Sequence, residues 1–125
     1  MIRLRAAEPA DEFAFWELRR QVQPDLTRGE HLAWWKAVAE HRWLAYESTA
    51  LVGVIRVSRA GEIHVLVASS ERGKGLGTSM LEAIQEAASA RGVPRLWAQV
   101  EATNAASQRA FTAAGYAPTR FEVAL

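Results

Sequence analysis

Ahead of Met80 the chain reads Ala68-Ser-Ser-Glu-Arg-Gly-Lys-Gly-Leu-Gly-Thr-Ser79, with glycines at alternate positions 73, 75 and 77 and basic residues at Arg72 and Lys74. Glycine has no Cβ, so such a stretch bends tightly and lets a ligand come close to the main chain. The alternating run Ile63 to Val67 precedes it, and Met80, Leu81, Ile84, Ala87 and Ala88 follow at helical spacing. The bend therefore feeds a helix N-terminus, where unpaired N–H groups and the positive end of the helix dipole point outward. This is the chemistry of a phosphate or pyrophosphate cradle. A plain strand-to-helix turn needs one or two glycines, and three alternating ones beside Arg and Lys exceed that need.

Two common phosphate-binding patterns do not fit. A P-loop requires Gly-Lys-Ser/Thr after a four-residue gap, and here Thr78 follows Gly77 with no lysine between. A dinucleotide fingerprint requires G-x-G-x-x-G and usually opens its domain. Here the spacing is G-x-G-x-G, after several strands.

The totals narrow the rest. A chain of 125 residues, half of them apolar and 23% charged, suits one domain over residues 1–125. A net charge of +1 without any Lys/Arg run argues against a nucleic-acid or membrane-surface partner. Zero cysteines exclude disulfides, thiol nucleophiles and Cys-ligated metals, and no metal is expected. The N-terminus has no apolar signal region, and no apolar stretch approaches the ~20 residues that span a bilayer. The default expectation is a cytoplasmic protein.

The elements that position the bend are predicted as follows. Ile2 to Arg5 alternates as a strand. A helix runs from Pro9 to about Val22, with Phe15, Leu18 and Val22 on one face. Thr27 and Glu30 have capping-box spacing for a second helix to about His41, carrying Leu32, Trp35, Val38 and Ala39 on one side. Trp43–Tyr46 and Leu51–Val57 read as strands joined by a turn at Glu47–Thr49, and Ile63–Val67 as a fourth strand after a turn at Ala60-Gly61. The long helix stops at Gly92. Leu96 to Val100 forms a fifth strand, Asn104 or Thr103 caps a last helix that stops at Gly115, and Phe121 to Leu125 forms a final strand. The order β-α-α-β-β-β-α-β-α-β implies a mixed α/β sheet covered by helices, not a doubly wound fold.

Arg72-Gly73-Lys74-Gly75-Leu76-Gly77 resembles the R/Q-x-x-G-x-G/A signature of the GNAT N-acetyltransferases. Asn104, Ser107, Phe111 and Gly115-Tyr116 resemble a second family pattern, N-x-x-A/S-x-x-x-Y-x-x-x-G-F. The resemblance implies helices on both faces of a central mixed sheet that splays between its fourth and fifth strands. It implies acetyl-CoA as co-substrate. The main chain of Arg72, Gly73, Lys74, Gly75, Leu76, Gly77 and Thr78 would hold the pyrophosphate. Main-chain groups of Val65, Leu66 and Val67 would pair with the pantetheine arm, the N–H of Val65 would polarise the thioester carbonyl, and Asn104 and Phe111 would complete the cofactor site.

The implied reaction is aminolysis of a thioester. A primary ammonium has a pKa of roughly 10 and must first lose its proton. Without cysteine no thiol acyl-enzyme can form, so direct transfer in a ternary complex is expected. The chain departs from the family at two places. Phe111 stands where many members carry an acidic Tyr, and Tyr116 falls on a packing position. A thiol of pKa about 8.5 is a fair leaving group, so a side-chain acid is dispensable. Gln99 stands where some members carry a basic Glu. Glu62, His64 and Glu101 are the nearby candidates for the base, with His64, whose imidazole has an ordinary pKa of ~6.5, or Glu101 preferred, against the alternative that each is a solvated strand-edge residue.

The acceptor site is expected on the first two helices, at His31, Trp34 and Trp35, whose rings could stack on a sugar or base. Trp16 and Trp43 are expected in the core. The His31-Leu-Ala-Trp-Trp35 stretch, Gly53–Val57 and Phe111 resemble GNAT enzymes acting on amino-sugar nucleotides. A small-molecule amine is thus the expected partner. A protein N-terminus, a lysine, a polyamine or another small amine stay open as acceptors, as does a non-catalytic acyl-CoA sensor. The chain ends where the family's sixth strand finishes, which implies either an open acceptor side or a homodimer in which a second copy completes the sheet.

Overall fold

The computed structural model describes residues 1–37, 41–118 and 120–125. The elements are β1 (Ile2–Ala6), α1 (Glu12–Val22), α2 (Arg28–Ala37), β2 (His41–Glu47), β3 (Ala50–Val57), β4 (Ile63–Val67), α3 (Leu76–Ala90), β5 (Arg95–Trp97), α4 (Ala105–Ala113) and β6 (Glu122–Ala124). Their order is the one expected.

The caps explain several boundaries. Thr27 and Glu30 form a reciprocal box: Thr27 N–H donates to Glu30 Oε1 at 2.9 Å and Glu30 N–H to Thr27 Oγ1 at 3.1 Å. Pro9 opens a short 3-10 turn, Pro9–Asp11, ahead of α1. Asp11 fixes that turn by accepting the Glu8 N–H at 2.7 Å and both arms of Arg5 at 2.9 Å. Arg5 in turn holds the Asp11 carboxyl below the usual carboxylate range. His41, expected to end the second helix, instead begins β2. Val38 and Ala39 lie outside the described residues.

Strands β1 to β4 pair antiparallel in sequence order, with Leu4 opposite Ala45, Trp43 opposite Ile55 and Ile55 opposite Val65. β5 and β6 form a separate antiparallel pair, with Leu96 opposite Val123. One parallel bridge, Glu62 to Trp97, joins the two sheets and supplies the mixed character. There the Trp97 N–H donates to Gly61 O at 3.0 Å and its indole Nε1–H to Ala60 O at 2.9 Å. A Cβ on Gly61 would come within 2.4 Å of the Arg95 carbonyl oxygen, so only glycine allows this approach. Beyond the bridge no ladder links β4 to β5 among the described residues, and the two strands splay apart.

That splay corrects the expected fifth strand. Residues 98–100 are not part of β5, because the neighbour that would pair them has turned away. Among the described residues, the Ala98 N–H finds a main-chain partner, Phe121 O at 3.2 Å.

Helices cover both faces. α3 and α4 bury Met80, Leu81, Ile84, Ala88 and Phe111 against Trp43, Ile55, Val57, Ile63 and Leu96. α1 and α2 pack Phe15, Leu18, Trp34 and Trp35 against Leu44 and Val54. Burying a side chain such as Phe15 or Ile84 contributes about 1.5–3 kcal/mol. Tyr116 is buried at the end of α4 and donates its hydroxyl to Leu81 O at 3.2 Å. Among the described residues no helix is long and apolar enough to cross a membrane.

Candidate active site

Two cavities of about 400 and 920 Å3 form one continuous groove, sharing Val65, Leu66, Val67, Gly77, Asn104, Ser107 and Ala110. The smaller one fills the splay and is also lined by Ile63, His64, Leu81, residues 98–101 and Phe111. The larger one runs along the glycine bend, past Arg72, Gly73, Gly75, Leu76 and Thr78, to Arg109 and Ala113 on α4.

The main chain of β4 is aimed into the splay. Two hydrogen bonds bracket its ladder with β3: Ser58 N–H to Glu62 O at 2.9 Å and Ala68 N–H to Val52 O at 2.8 Å. In an antiparallel ladder, residues that bond to the partner alternate with residues that do not. Positions 62, 64, 66 and 68 therefore face β3, and Val65 and Val67 present their N–H and C=O groups to the gap. The Arg72 Nε–H, which donates to Val67 O at 3.3 Å, uses one of these outward carbonyls.

The bend is held open by its own backbone. Gly73 and Gly75 lie at φ +79° and +76°, the left-handed region, and Gly75 is the N-cap of α3. A side chain at either would strain the turn. Ser79 N–H reaches back to Gly75 O, so the N–H groups of residues 76–78 belong to the unpaired first turn of α3. Ser69 donates its N–H (3.0 Å) and hydroxyl (2.6 Å) to Gln21 Oε1, which fastens the bend to α1. Lys74 does not line the groove. Its ammonium pairs with Glu71 at 3.0 Å.

Asn104 caps α4, its side-chain oxygen accepting the Ser107 N–H at 3.2 Å, and lines both parts of the groove. Phe111 lines the splay cavity and packs edge-on against Tyr116 at 5.1 Å. Burial pushes the Tyr116 phenol well above its ordinary pKa, and its proton is committed to Leu81 O. Tyr116 is thus a packing residue and not an acid for the groove.

His64 and Glu101 both line the splay cavity. The His64 side chain is 41% exposed and its Nε2 lies 3.3 Å from Glu62 Oε1. Among the described residues no three His, Cys, Asp or Glu side chains gather as a metal set.

On the other face of the sheet, His31 corrects its expected role. It is 0% exposed and cannot touch an acceptor. Arg19 Nη1 donates to its Nδ1 at 3.0 Å, and an arginine cannot accept, so Nδ1 is the unprotonated nitrogen. Its Nε2–H then faces Glu12 Oε2 at 2.9 Å. Glu12 is also held by Arg28, whose Nη2 donates to Glu12 Oε1 at 2.6 Å. Trp34 and Trp35 are half-buried around His31, with ring centres 5.5 and 6.4 Å from it.

Burial, then the nearby Arg19 charge, lowers the His31 pKa below its ordinary value. The folded state therefore disfavours the proton that an unfolded chain takes up below about pH 6.5. Stability should fall as pH drops through that range. Melting curves between pH 7.5 and 5.5 should slope downward, and His31→Gln should melt lower overall but with a visibly flatter slope. Equal slopes would remove His31 as the cause. Glu12, held low chiefly by Arg28, adds its loss only at more acidic pH.

Several lining residues had no local signal in the sequence. Ala110 reaches the groove because α4 lies against the splay, Arg109 because it adjoins Ala110 on that helix, and the exposed Val22 because α1 ends beside the bend. Arg19 and Arg56 meet at Trp34 from α1 and β3.

The same architecture occurs in solved acetyltransferases. An aminoglycoside acetyltransferase, AAC(6')-Ib, in complex with coenzyme A and kanamycin superposes with a TM-score of 0.80 at 17% identity, covering 94% of this chain and 84% of that one. The Salmonella typhimurium protein yncA with its cofactor acetyl-CoA gives 0.73 at 24% identity, over 92% and 79%. A ribosomal-protein-alanine N-acetyltransferase from Brucella melitensis gives 0.74 at 25% identity, over 90% and 83%. No curated protein sequence matches the chain. The sequence model of the Acetyltransferase (GNAT) family matches residues 9–116, a span that takes in the glycine bend, the splayed strands and the Asn104-capped helix. The chain belongs to the GNAT acetyltransferase family.

Proposed function

We propose that the protein is an N-acetyltransferase that moves the acetyl group of acetyl-CoA to a primary amine within a ternary complex, with an amino-sugar nucleotide as the acceptor. The observation that carries this reading is the continuity of the groove: outward main-chain groups of Val65 and Val67 at one end, unpaired α3 amides at the other. An extended thiol cofactor with a diphosphate fits both ends.

Bound acetyl-CoA supplies an activated acyl carbon; attack by the neutral amine forms the C–N bond, breaks the C–S bond and releases the thiol. The chain's residues do the rest. The amides of residues 76–78 hold the diphosphate, and the Val65 N–H stabilises negative charge on the carbonyl oxygen. His64, supported by Glu62, takes the amine proton, and Glu101 is the second candidate for that role. With Phe111 in the family's Tyr position, the thiolate leaves without a side-chain acid.

A thiol-release assay with acetyl-CoA and an amine panel tests this reading. Release should require an amine. His64→Ala or Glu101→Ala, whichever removes the base, should lower kcat by about 10²-fold or more and abolish the acidic limb of the pH–rate profile. Unchanged profiles in both variants would dismiss both residues. Cofactor binding without thiol release on any amine would replace the enzyme by a sensor.

A further inference from the structure

The splay cavity continues past the part it shares with the glycine-bend groove. Its own end is walled by Ile63, Leu81, Ala98, Val100 and Phe111, with His64, Gln99 and Glu101 at the rim. Burial separates the two sets. Ile63, Leu81, Ala98 and Phe111 belong to the core beneath α3 and α4, and Val100 packs against it. Gln99 and Glu101 are exposed, and the His64 side chain is partly so. Strand alternation explains the division on β4: Ile63 and Val65 face α3 and α4, whereas His64 meets residues of α1 and α2. One side of the cavity is thus hydrocarbon, and among the described residues no charged side chain stands on it. Phe111 completes that wall. It holds the family's Tyr position without the hydroxyl, and its ring is fixed by Tyr116 at 5.1 Å and Phe121 at 6.0 Å.

The cavity also has a far end. β4 meets the fifth strand at the Glu62–Trp97 bridge, three residues beyond Val65. At about 3.3 Å per residue this leaves about 10 Å between the Val65 N–H and the bridge. With the cofactor arm arriving past Val67 and the thioester carbonyl on the Val65 N–H, the substituent on the carbonyl carbon points on towards Ile63. A methyl covers only the first bond of that span, and the rest of the wall forgoes its contacts. We propose that this end is an acyl-chain site, and that the enzyme transfers propionyl and butyryl groups from their CoA thioesters in preference to acetyl. This rests on the acyl-transfer reading and extends it to the donor. The step itself is unchanged: the amine nitrogen bonds to the acyl carbon, its proton passes to the base, the C–S bond breaks and CoA leaves as the thiolate.

The test measures kcat/KM with one amine acceptor for acetyl-, propionyl-, butyryl-, 3-hydroxybutyryl- and decanoyl-CoA. Values should rise about fourfold for each methylene from acetyl to butyryl. Decanoyl-CoA, whose chain would run into the bridge, should fall below butyryl-CoA. 3-Hydroxybutyryl-CoA should also fall below it, because its hydroxyl finds no partner on a hydrocarbon wall. Ala98→Leu fills the wall and should bring the butyryl-to-acetyl ratio below one. Phe111→Tyr adds a single oxygen to the wall and should lower the same ratio several-fold. Because both donors release the same thiol, the ratio is blind to any gain of an acid at this position. Melting curves check both variants, and Phe111→Tyr carries the test should Ala98→Leu not fold. Acetyl-CoA as the best donor, equal values for butyryl- and 3-hydroxybutyryl-CoA, or an unmoved ratio in the folded variants overturns the proposal. Calorimetry with the thioesters alone separates the two readings. Butyryl-CoA that binds more tightly than acetyl-CoA, less so in Phe111→Tyr, in a protein that turns over no amine would keep the acyl site and discard the enzyme. Turnover that favours acetyl-CoA would do the reverse.

Discussion

Val65→Pro should cut kcat by about 10²–10³, the usual cost of removing one oxyanion donor, while leaving acetyl-CoA binding within a few-fold of the wild type. Proline changes one thing that matters here: it deletes the N–H that the ladder parity turns into the splay. Among the described residues that N–H bonds to no neighbouring strand, because beyond the Glu62–Trp97 bridge β4 has no described partner on that side. Proline is tolerated at strand positions of this kind, so the fold should survive, and a melting curve checks this. Val65→Ala keeps the N–H and should retain activity. Val67→Pro removes the next outward donor, which on the proposed reading faces the cofactor arm rather than the reacting carbon, and should raise KM more than it lowers kcat. A folded Val65→Pro enzyme within threefold of wild-type kcat would end the assignment of this amide to the carbonyl oxygen.

The features legible in the sequence are those whose cause is local. Thr27 and Glu30 cap α2 through bonds three residues apart, and the left-handed glycines before α3 announce themselves by type. The family signature then supplied the splay, which no periodicity could reveal, because alternation in Ile63–Val67 and Leu96–Val100 looks the same whether the strands pair or part. The overlong fifth strand has this origin. Residues 98–100 carry strand-like composition but have lost the neighbour. Long-range partners were invisible for a related reason. His31 looked like an acceptor contact because an aromatic-rich helix face is ambiguous. Its true partners, Arg19 and Glu12, lie on α1, 12 and 19 residues away, and no spacing rule links them. The arginines around Trp34 come from α1, β2 and β3 and were equally unreadable.

Gly77→Leu should separate stability from binding. Gly77 is the second residue of α3, has an ordinary helical backbone, and lines both parts of the groove. A Cβ there would sit 4.0 Å from Val67 Cγ2, an ordinary contact, so the added Cβ clashes with nothing in the protein. Glycine in a helix costs about 0.5–1 kcal/mol relative to alanine, and leucine ranks close behind alanine. The variant should therefore melt at or slightly above the wild-type temperature. The rest of the leucine side chain, however, must extend from that Cβ along the groove, between β4 and α4, that the proposed reading gives to the cofactor arm. Acetyl-CoA affinity should fall by about 100-fold or more, close to 2.7 kcal/mol, and thiol release should fall with it. Calorimetry and a melting curve on one sample decide the matter. A protein that melts as predicted yet binds acetyl-CoA as tightly as the wild type would mean that the cofactor does not thread the groove at Gly77. The Val65 amide would then have no thioester to meet.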